Sequence, residues 1–154
     1  MRRAQARRAL AALLLLAASA FAQETDSTQI APETPPWREI AAKARHTFSG
    51  IQYVVLEEGA GEKPVRNQVV QMHYVGRLAD GRVFDSSYKR GHPFHFKAGI
   101  GYVIAGWDEM ALDMRKGERR VVVIPPELAY GRQGVPGEIP QNATLTFDMT
   151  LVDF

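Results

Sequence analysis

The sequence contains no cysteine among its 154 residues. A chain without cysteine can hold no disulfide bond, no thiolate-ligated zinc or iron–sulfur centre, no thiol nucleophile and no lipid on an N-terminal cysteine. The chain also lacks the short motifs of serine hydrolases, zinc proteases, phosphate-binding loops and dinucleotide-binding folds. We therefore expect no cofactor and no metal, and a function that uses none of these chemistries.

Long hydrophobic runs are also scarce. The main apolar run covers residues 9–18, whereas a helix needs about 20 residues to cross the ~30 Å hydrocarbon core of a bilayer. Four arginines precede this run: Arg2, Arg3, Arg7 and Arg8. The small-x-small triplet at residues 20–22 follows it, and this order is typical of a secretory signal peptide. We predict that residues 1–22 are a cleaved signal peptide and that no membrane anchor remains. The mature protein is then periplasmic or secreted.

The net positive charge of the chain depends on that first segment. The full chain has a net charge of +2, but without its first four arginines it has 15 basic side chains against 17 acidic ones, a net charge of −2. One basic cluster remains at residues 115–120, and Glu118 interrupts it. Nucleic-acid binding needs a basic stripe or patch, so we predict no nucleic-acid partner.

Composition along the mature chain divides it into a linker and one domain. Residues 23–48 are polar and rich in proline towards their middle, which predicts a linker, with a short helix at residues 37–45. Residues 49–154 carry the remaining hydrophobic pattern and form the predicted folded domain. At 45% hydrophobic and 23% charged residues, the composition is that of an ordinary globular protein.

Most of the domain alternates apolar and polar residues, as half-buried strands do. The clearest stripe is that of the last strand: Leu145, Phe147, Met149 and Leu151. Asp80-Gly81 predicts a hairpin turn between two earlier strands. One helical stripe interrupts the strands at spacings of three and four residues: Trp107, Met110, Ala111 and Met114. We expect that helix to end at Gly117 and the fold to be α+β.

Two further features bear on function. Residues 131–143 form a long glycine- and proline-rich connection without periodicity, and such connections are more often functional than idle. The four histidines show no metal-binding spacing, and we expect each to lie at the surface or in a loop: His46, His73, His92 and His95.

The order of motifs along residues 49–154 resembles that of the FKBP-type peptidyl-prolyl cis-trans isomerases. The matching segments are Met72-His73-Tyr74-Val75-Gly76, Asp80-Gly81-x-Val83-Phe84-Asp85-Ser86-Ser87, Pro93-Phe94-His95-Phe96, Val103-Ile104-Ala105-Gly106-Trp107, Leu128-Ala129-Tyr130-Gly131 and Ile139-Pro140-x-x-Ala143-Thr144-Leu145. Each segment is a weak signal alone, but together, in this order and spacing, they are specific.

The resemblance implies a five-stranded antiparallel half-barrel sheet wrapped around one short α-helix. It also implies an isomerase that binds proline-containing polypeptides between sheet and helix. Asp85, Tyr130 and the Ile104 N–H would then be the catalytic groups, with Arg90 and Tyr74 ordering Asp85. The substrate-binding residues would be Tyr74, Phe84, Phe94, Val103, Trp107, Ile139 and Phe147.

The same resemblance leaves some properties open. An exported isomerase that assists protein folding is the leading hypothesis, and a non-catalytic peptide-binding chaperone, or holdase, is the alternative. A small-ligand carrier barrel is a third interpretation, for which a single-helix plan leaves little room. We expect a monomer, and macrolide inhibitors are candidate ligands. Val135 and Glu138 differ from the family's usual flap residues, so substrate preference and macrolide affinity do not follow from the resemblance.

The signal-peptide hypothesis predicts the mature N-terminus. Ala20 and Ala22 provide the good cleavage site after the apolar run, so the first residue of the exported protein should be Gln23. Intact-mass measurement on protein from the cell-envelope fraction checks this. A mass that still includes residues 1–22 would contradict it.

Overall fold

The computed structural model describes residues 31–154. The predicted signal peptide and the first part of the predicted linker lie outside these residues. The strands are β1 (Arg45–His46), β2 (Gln52–Glu57), β3 (Val69–Arg77), β4 (Val83–Ser86), β5 (Phe94–Lys97), β6 (Arg119–Ile124) and β7 (Leu145–Asp153). The helices are α1 (Trp37–Ile40) and α2 (Ala105–Asp113), with 3-10 turns at Ala41–Lys43, Tyr88–Arg90 and Pro126–Leu128. Neither α1 nor α2 has the length and apolar character needed to cross a membrane.

The strands form one antiparallel sheet in the order β1-β2-β6-β7-β3-β4, and β5 also pairs with β3. Strand β4 pairs with residues 75–77 of β3, and β5 pairs with residues 69–72 of the same strand. Strands β4 and β5 therefore lie one after the other along the same side of β3, and the loop between them carries the 3-10 turn Tyr88–Arg90. The predicted antiparallel sheet with one short packed helix is confirmed. Seven strands replace the predicted five because this edge strand is broken and because β1 adds a two-residue pair.

The inner face of the sheet packs against α2 and forms the core. The predicted stripe of the last strand is confirmed, since its four apolar side chains are buried. The predicted helix stripe is buried too. A Cβ at Gly106 would lie 2.6 Å from Ile124 Cγ2, so the close approach of α2 to β6 requires a glycine there.

The end of α2 differs from the prediction. The helix ends at Asp113, and Met114 takes an extended conformation with its side chain buried. Gly117 is therefore not the residue that ends the helix. It lies, with φ of 81°, in the following turn, where the Glu118 N–H donates to the Arg115 carbonyl at 3.0 Å.

Part of the predicted linker contacts the outer face of the sheet. The Thr34 hydroxyl donates to Asp148 Oδ2 at 2.6 Å, and Arg119 donates to the Glu33 carbonyl at 2.9 Å. Arg119 also pairs with Asp148 at 2.7 Å, so these polar groups, which lie opposite the core, satisfy one another. The predicted short helix is present as α1 and the 3-10 turn after it. Strand β1 then pairs with β2 and adds this segment to the sheet.

Candidate active site

An open cavity of about 470 Å³ lies between α2 and the sheet. It forms where the short helix leaves the inner face of the sheet uncovered. Strands β3, β4, β5 and β7, the start of α2 and the segment after β6 all contribute to it. The lining residues are Tyr74, Phe84, Asp85, Arg90, His92, Phe94, Tyr102, Val103, Ile104, Trp107, Tyr130 and Phe147.

Trp107 forms the centre of the aromatic wall. Its side chain comes from the first turn of α2 and is only 5% exposed. The Tyr74 ring lies 4.7 Å from it at 86°, and the Phe147 ring lies 5.4 Å from it at 81°. Such edge-to-face pairs are favourable for rings and fix their orientation. The cavity therefore has a rigid apolar floor, which can accept a small aliphatic ring.

One polar network stands at the edge of this apolar wall, and Asp85 is its centre. The Tyr74 hydroxyl donates to Asp85 Oδ2, and the Arg90 guanidinium donates to Asp85 Oδ1 at 2.7 Å. The Ser86 N–H donates to the same Oδ1 at 2.7 Å, and Arg90 also donates to the Tyr74 hydroxyl at 2.7 Å. The carboxylate is thus held by three donors and has a fixed orientation.

The pKa values of the carboxyl and of two phenols in the site shift in opposite directions. Partial burial by itself raises the pKa of Asp85, but the hydrogen bonds from Tyr74 and Arg90 outweigh it, and the net pKa lies below its ordinary value. Burial and the hydrogen bond to Asp85 raise the pKa of Tyr74 to about 12. Burial, followed by the charges of Asp85 and Glu138, raises the pKa of Tyr130. At neutral pH Asp85 is therefore ionised, and the phenols of Tyr74 and Tyr130 are neutral.

Two further donors belong to residues that line the cavity, and neither has an acceptor within residues 31–154. Ile104 is the residue before the first turn of α2, and its N–H finds no acceptor within residues 31–154. The Tyr130 hydroxyl finds none within the same residues, and its side chain is partly exposed. Both groups can donate a hydrogen bond to a bound carbonyl, because helix N-termini and exposed phenols are ready donors.

Nine of the ten site residues named from the sequence line this cavity. The exception is Ile139, which is buried in the core and does not line the cavity. Its backbone pairs with Val135 in the segment of residues 131–143, and this bridge places the side chain inward. The structure adds His92 and Tyr102, which the sequence analysis did not assign to the site. Both come from loops, and only their positions beside Pro93 and Val103 could have indicated them.

The segment of residues 131–143 forms a flap beside the cavity. A turn at its tip is closed by hydrogen bonds between the backbones of Val135 and Ile139, both at 2.9 Å. Pro136 and Gly137 occupy the middle of this turn, and Gly137 has φ of 81°, as a type II turn requires. Glu138 is exposed and lies beside Arg82 in a separate depression, outside the cavity wall.

His73 is not at the surface, contrary to the expectation for the histidines. It lies on the outer face of β3, buried, with its ring stacked on Tyr88 at 4.5 Å. Its Nδ1 lies 2.9 Å from the Ser87 hydroxyl. Burial, together with the charge of His92, lowers the pKa of His73. The side chain is therefore a structural support behind Tyr74 and does not face the cavity.

The segment that forms this cavity matches a known protein family. Residues 60–152 match the family model described as "FKBP-type peptidyl-prolyl cis-trans isomerase". Among curated proteins, the chain is 46% identical over 105 residues to "FK506-binding protein 1" of Dictyostelium discoideum, covering 68% of this chain and 98% of that protein. It is 43% identical over 133 residues to "FKBP-type peptidyl-prolyl cis-trans isomerase FkpA" of Escherichia coli K12. That match covers 84% of this chain, which spans about half of FkpA, 48% of its length.

Solved structures give the same result. The crystal structure of AtFKBP13 superposes with a TM-score of 0.68 at 39% identity, covering 71% of this chain and 96% of the other. The crystal structure of FkpA from Escherichia coli also superposes with a TM-score of 0.68, at 44% identity, covering 76% of this chain and 55% of the other.

The Asp85 network predicts a pH dependence of stability. A carboxyl whose pKa is lower in the folded than in the unfolded chain contributes stability above its unfolded pKa, near 3.9, and loses that contribution as the pH falls through its folded pKa. We expect wild type to exceed the Asp85→Asn variant in unfolding free energy at pH 5. The difference should shrink towards pH 2. Urea unfolding of both proteins across this range measures it, and a difference that stays constant with pH would contradict the assignment.

Proposed function

The chain belongs to the FKBP-type peptidyl-prolyl cis-trans isomerases, and from this premise we propose how its aromatic cavity performs the isomerisation. The observation that carries the proposal is the cavity itself, in which an apolar aromatic wall meets the fixed Asp85 carboxylate and is bordered by Ile104 and Tyr130. We propose that the ring of a substrate proline lies on Trp107, between the side chains of Tyr74 and Phe147.

Isomerisation of a prolyl peptide bond requires little more from the protein than such an apolar surface. Rotation about a peptide bond has a barrier of ~18–20 kcal/mol because amide resonance must be lost. No covalent bond is made and no proton has to move. A twisted amide has less charge separation than a planar one, so an apolar cavity stabilises it relative to water and thereby lowers the barrier.

The polar groups take separate roles in this proposal. The Ile104 N–H and the Tyr130 hydroxyl, which have no partner within residues 31–154, hold substrate carbonyl groups. Asp85 lies near the rotating carbonyl. Its fixed negative charge repels a carbonyl oxygen, so it favours the twisted amide over conformations that place this oxygen against the carboxylate. Tyr74 and Arg90 position that carboxylate. The other wall residues, Phe84, Phe94, Val103 and Phe147, exclude water from the proline ring.

We propose that the substrates are exported polypeptides and that the protein assists their folding in the periplasm or outside the cell. The basic segment, the short apolar run and the small-x-small triplet at the N-terminus support this location. FK506-binding proteins among the relatives carry a macrolide in their name, and we propose that the same cavity accepts macrolide inhibitors.

The holdase alternative predicts peptide binding without catalysis. The residues between Phe84 and Tyr130 are accounted for by β4, β5, α2, β6 and two 3-10 turns, so no inserted chaperone module lies between them. The complete polar network at Asp85 also favours the enzyme, because a purely apolar peptide cleft would not need an oriented carboxylate. The decisive experiment follows cis-to-trans exchange on Xaa-Pro peptides, with and without a macrolide; binding without accelerated exchange would favour the holdase.

Two substitutions test the assigned roles. Tyr130→Phe removes one neutral hydrogen bond and should lower kcat/KM by the equivalent of about 0.5–1.5 kcal/mol. Trp107→Ala opens the floor of the cavity and should lower kcat/KM further, at an additional cost in stability. Phe48→Ala is the matched control, because Phe48 is fully exposed at the β1–β2 turn and should leave both quantities unchanged. A folded Trp107→Ala protein with wild-type kcat/KM would contradict the proposed binding mode.

A further inference from the structure

A second depression opens beside the aromatic cavity, and we call it the edge depression. Its volume is about 280 Å³, and its walls are Val69, Phe94, His95, Phe96, Lys97 and Tyr102. Phe94 and Tyr102 line both the cavity and the edge depression. The two concavities therefore adjoin at Phe94 and Tyr102.

Several apolar side chains that line the edge depression are exposed to solvent. Val69 is 49% exposed, Phe94 38% and Tyr102 69%. Clustered exposed apolar surface is unusual on a soluble domain and marks binding sites. The loop that carries Tyr102 is fixed by hydrogen bonds. The Asp108 carboxylate accepts from the N–H groups of Gly99 and Gly101, both at 2.8 Å.

The edge depression also borders an unpaired strand edge. Within residues 31–154, β5 pairs with β3 only, so its other edge has no strand beside it. The ladder pairs Phe96 with Val70, and the Ala98 N–H next along donates to the Gln68 carbonyl at 2.9 Å. Backbone groups alternate between the two sides of a strand, so those of Phe96 face β3, and those of His95 and Lys97 face the free edge.

We propose that the edge depression is a subsite for the substrate polypeptide itself, an inference that rests on the proposed isomerase function. An extended segment next to the bound proline pairs its backbone with the free edge of β5, as peptides do in strand addition. One apolar side chain of that segment then occupies the edge depression, whose lining includes Val69 and Tyr102. The exposed Lys97 and His95 at the margin disfavour a basic side chain there. The enzyme thus selects prolines that have an apolar residue nearby in an extended chain.

A pair of valine variants tests this inference. Val69 lines the edge depression and not the cavity, whereas Val65 is an exposed valine that lines neither. Val69→Glu places a charge in the depression, and Val65→Glu is the matched control. The substrates are a short Xaa-Pro tetrapeptide and longer peptides with the same Xaa-Pro bond. Each longer peptide carries Leu, Ser or Lys at one position, moved residue by residue away from the proline on either side.

For wild type we expect one position at which Leu raises kcat/KM over Ser by about fivefold, the effect of moving part of one apolar side chain out of water. Val69→Glu should abolish this preference and favour Lys at that position instead. Val65→Glu should keep the leucine preference, and tetrapeptide kcat/KM should be unchanged in both variants.

The failures of the two proposals are distinguishable. If wild type isomerises the tetrapeptide but no position distinguishes Leu from Ser, the subsite is wrong and the proposed function stands. If wild type accelerates exchange in no peptide, both proposals are wrong. Equal loss of the leucine preference in both valine variants would also overturn the subsite. So would a concentration-dependent dimer that Val69→Glu dissolves, because a second copy would then occupy the edge.

Discussion

The helix α2 is much shorter than the strands it packs against, and the aromatic cavity follows from this mismatch. Its nine residues extend about 13 Å, whereas the nine residues of β3 or β7 extend about 30 Å. One such helix can cover only part of the inner face. Aromatic side chains of the strands line the uncovered part, and Trp107, from the first turn of α2, closes its floor. An apolar surface open to substrate is thus a direct consequence of the fold.

An apolar cavity makes an ionised group costly, and the structure keeps one there by surrounding it with donors. Asp85 accepts from Tyr74, Arg90 and the Ser86 backbone, and its pKa lies below the ordinary value despite partial burial. Tyr74 has a second role, because its ring packs against Trp107. Tyr74 therefore links the aromatic wall of the cavity to the Asp85 carboxylate. A substitution at Tyr74 affects both the shape of the cavity and the orientation of that carboxylate.

Sequence reasoning reached the regular elements and most of the site, because strands and helices repeat their buried side chains with a fixed period and because ordered motifs carry the pattern of a family. Loops and distant contacts decide the remaining positions. The flap bridge places Ile139 in the core, and two loops bring His92 and Tyr102 to the cavity. The Thr34–Asp148 hydrogen bond joins residues 114 positions apart, and no local pattern indicates it.

In the proposed mechanism an apolar surface and fixed hydrogen bonds stabilise the twisted amide, and no proton is transferred. The most direct measurement is the pH profile of kcat/KM, because Asp85 is ionised and the phenols of Tyr74 and Tyr130 are neutral near pH 7. We expect a flat profile between roughly pH 5.5 and 8.5 for wild type, and the same profile for His92→Gln, since His92 is the histidine that lines the cavity. A bell-shaped wild-type profile that becomes flat in His92→Gln would contradict it and would assign proton transfer to that side chain.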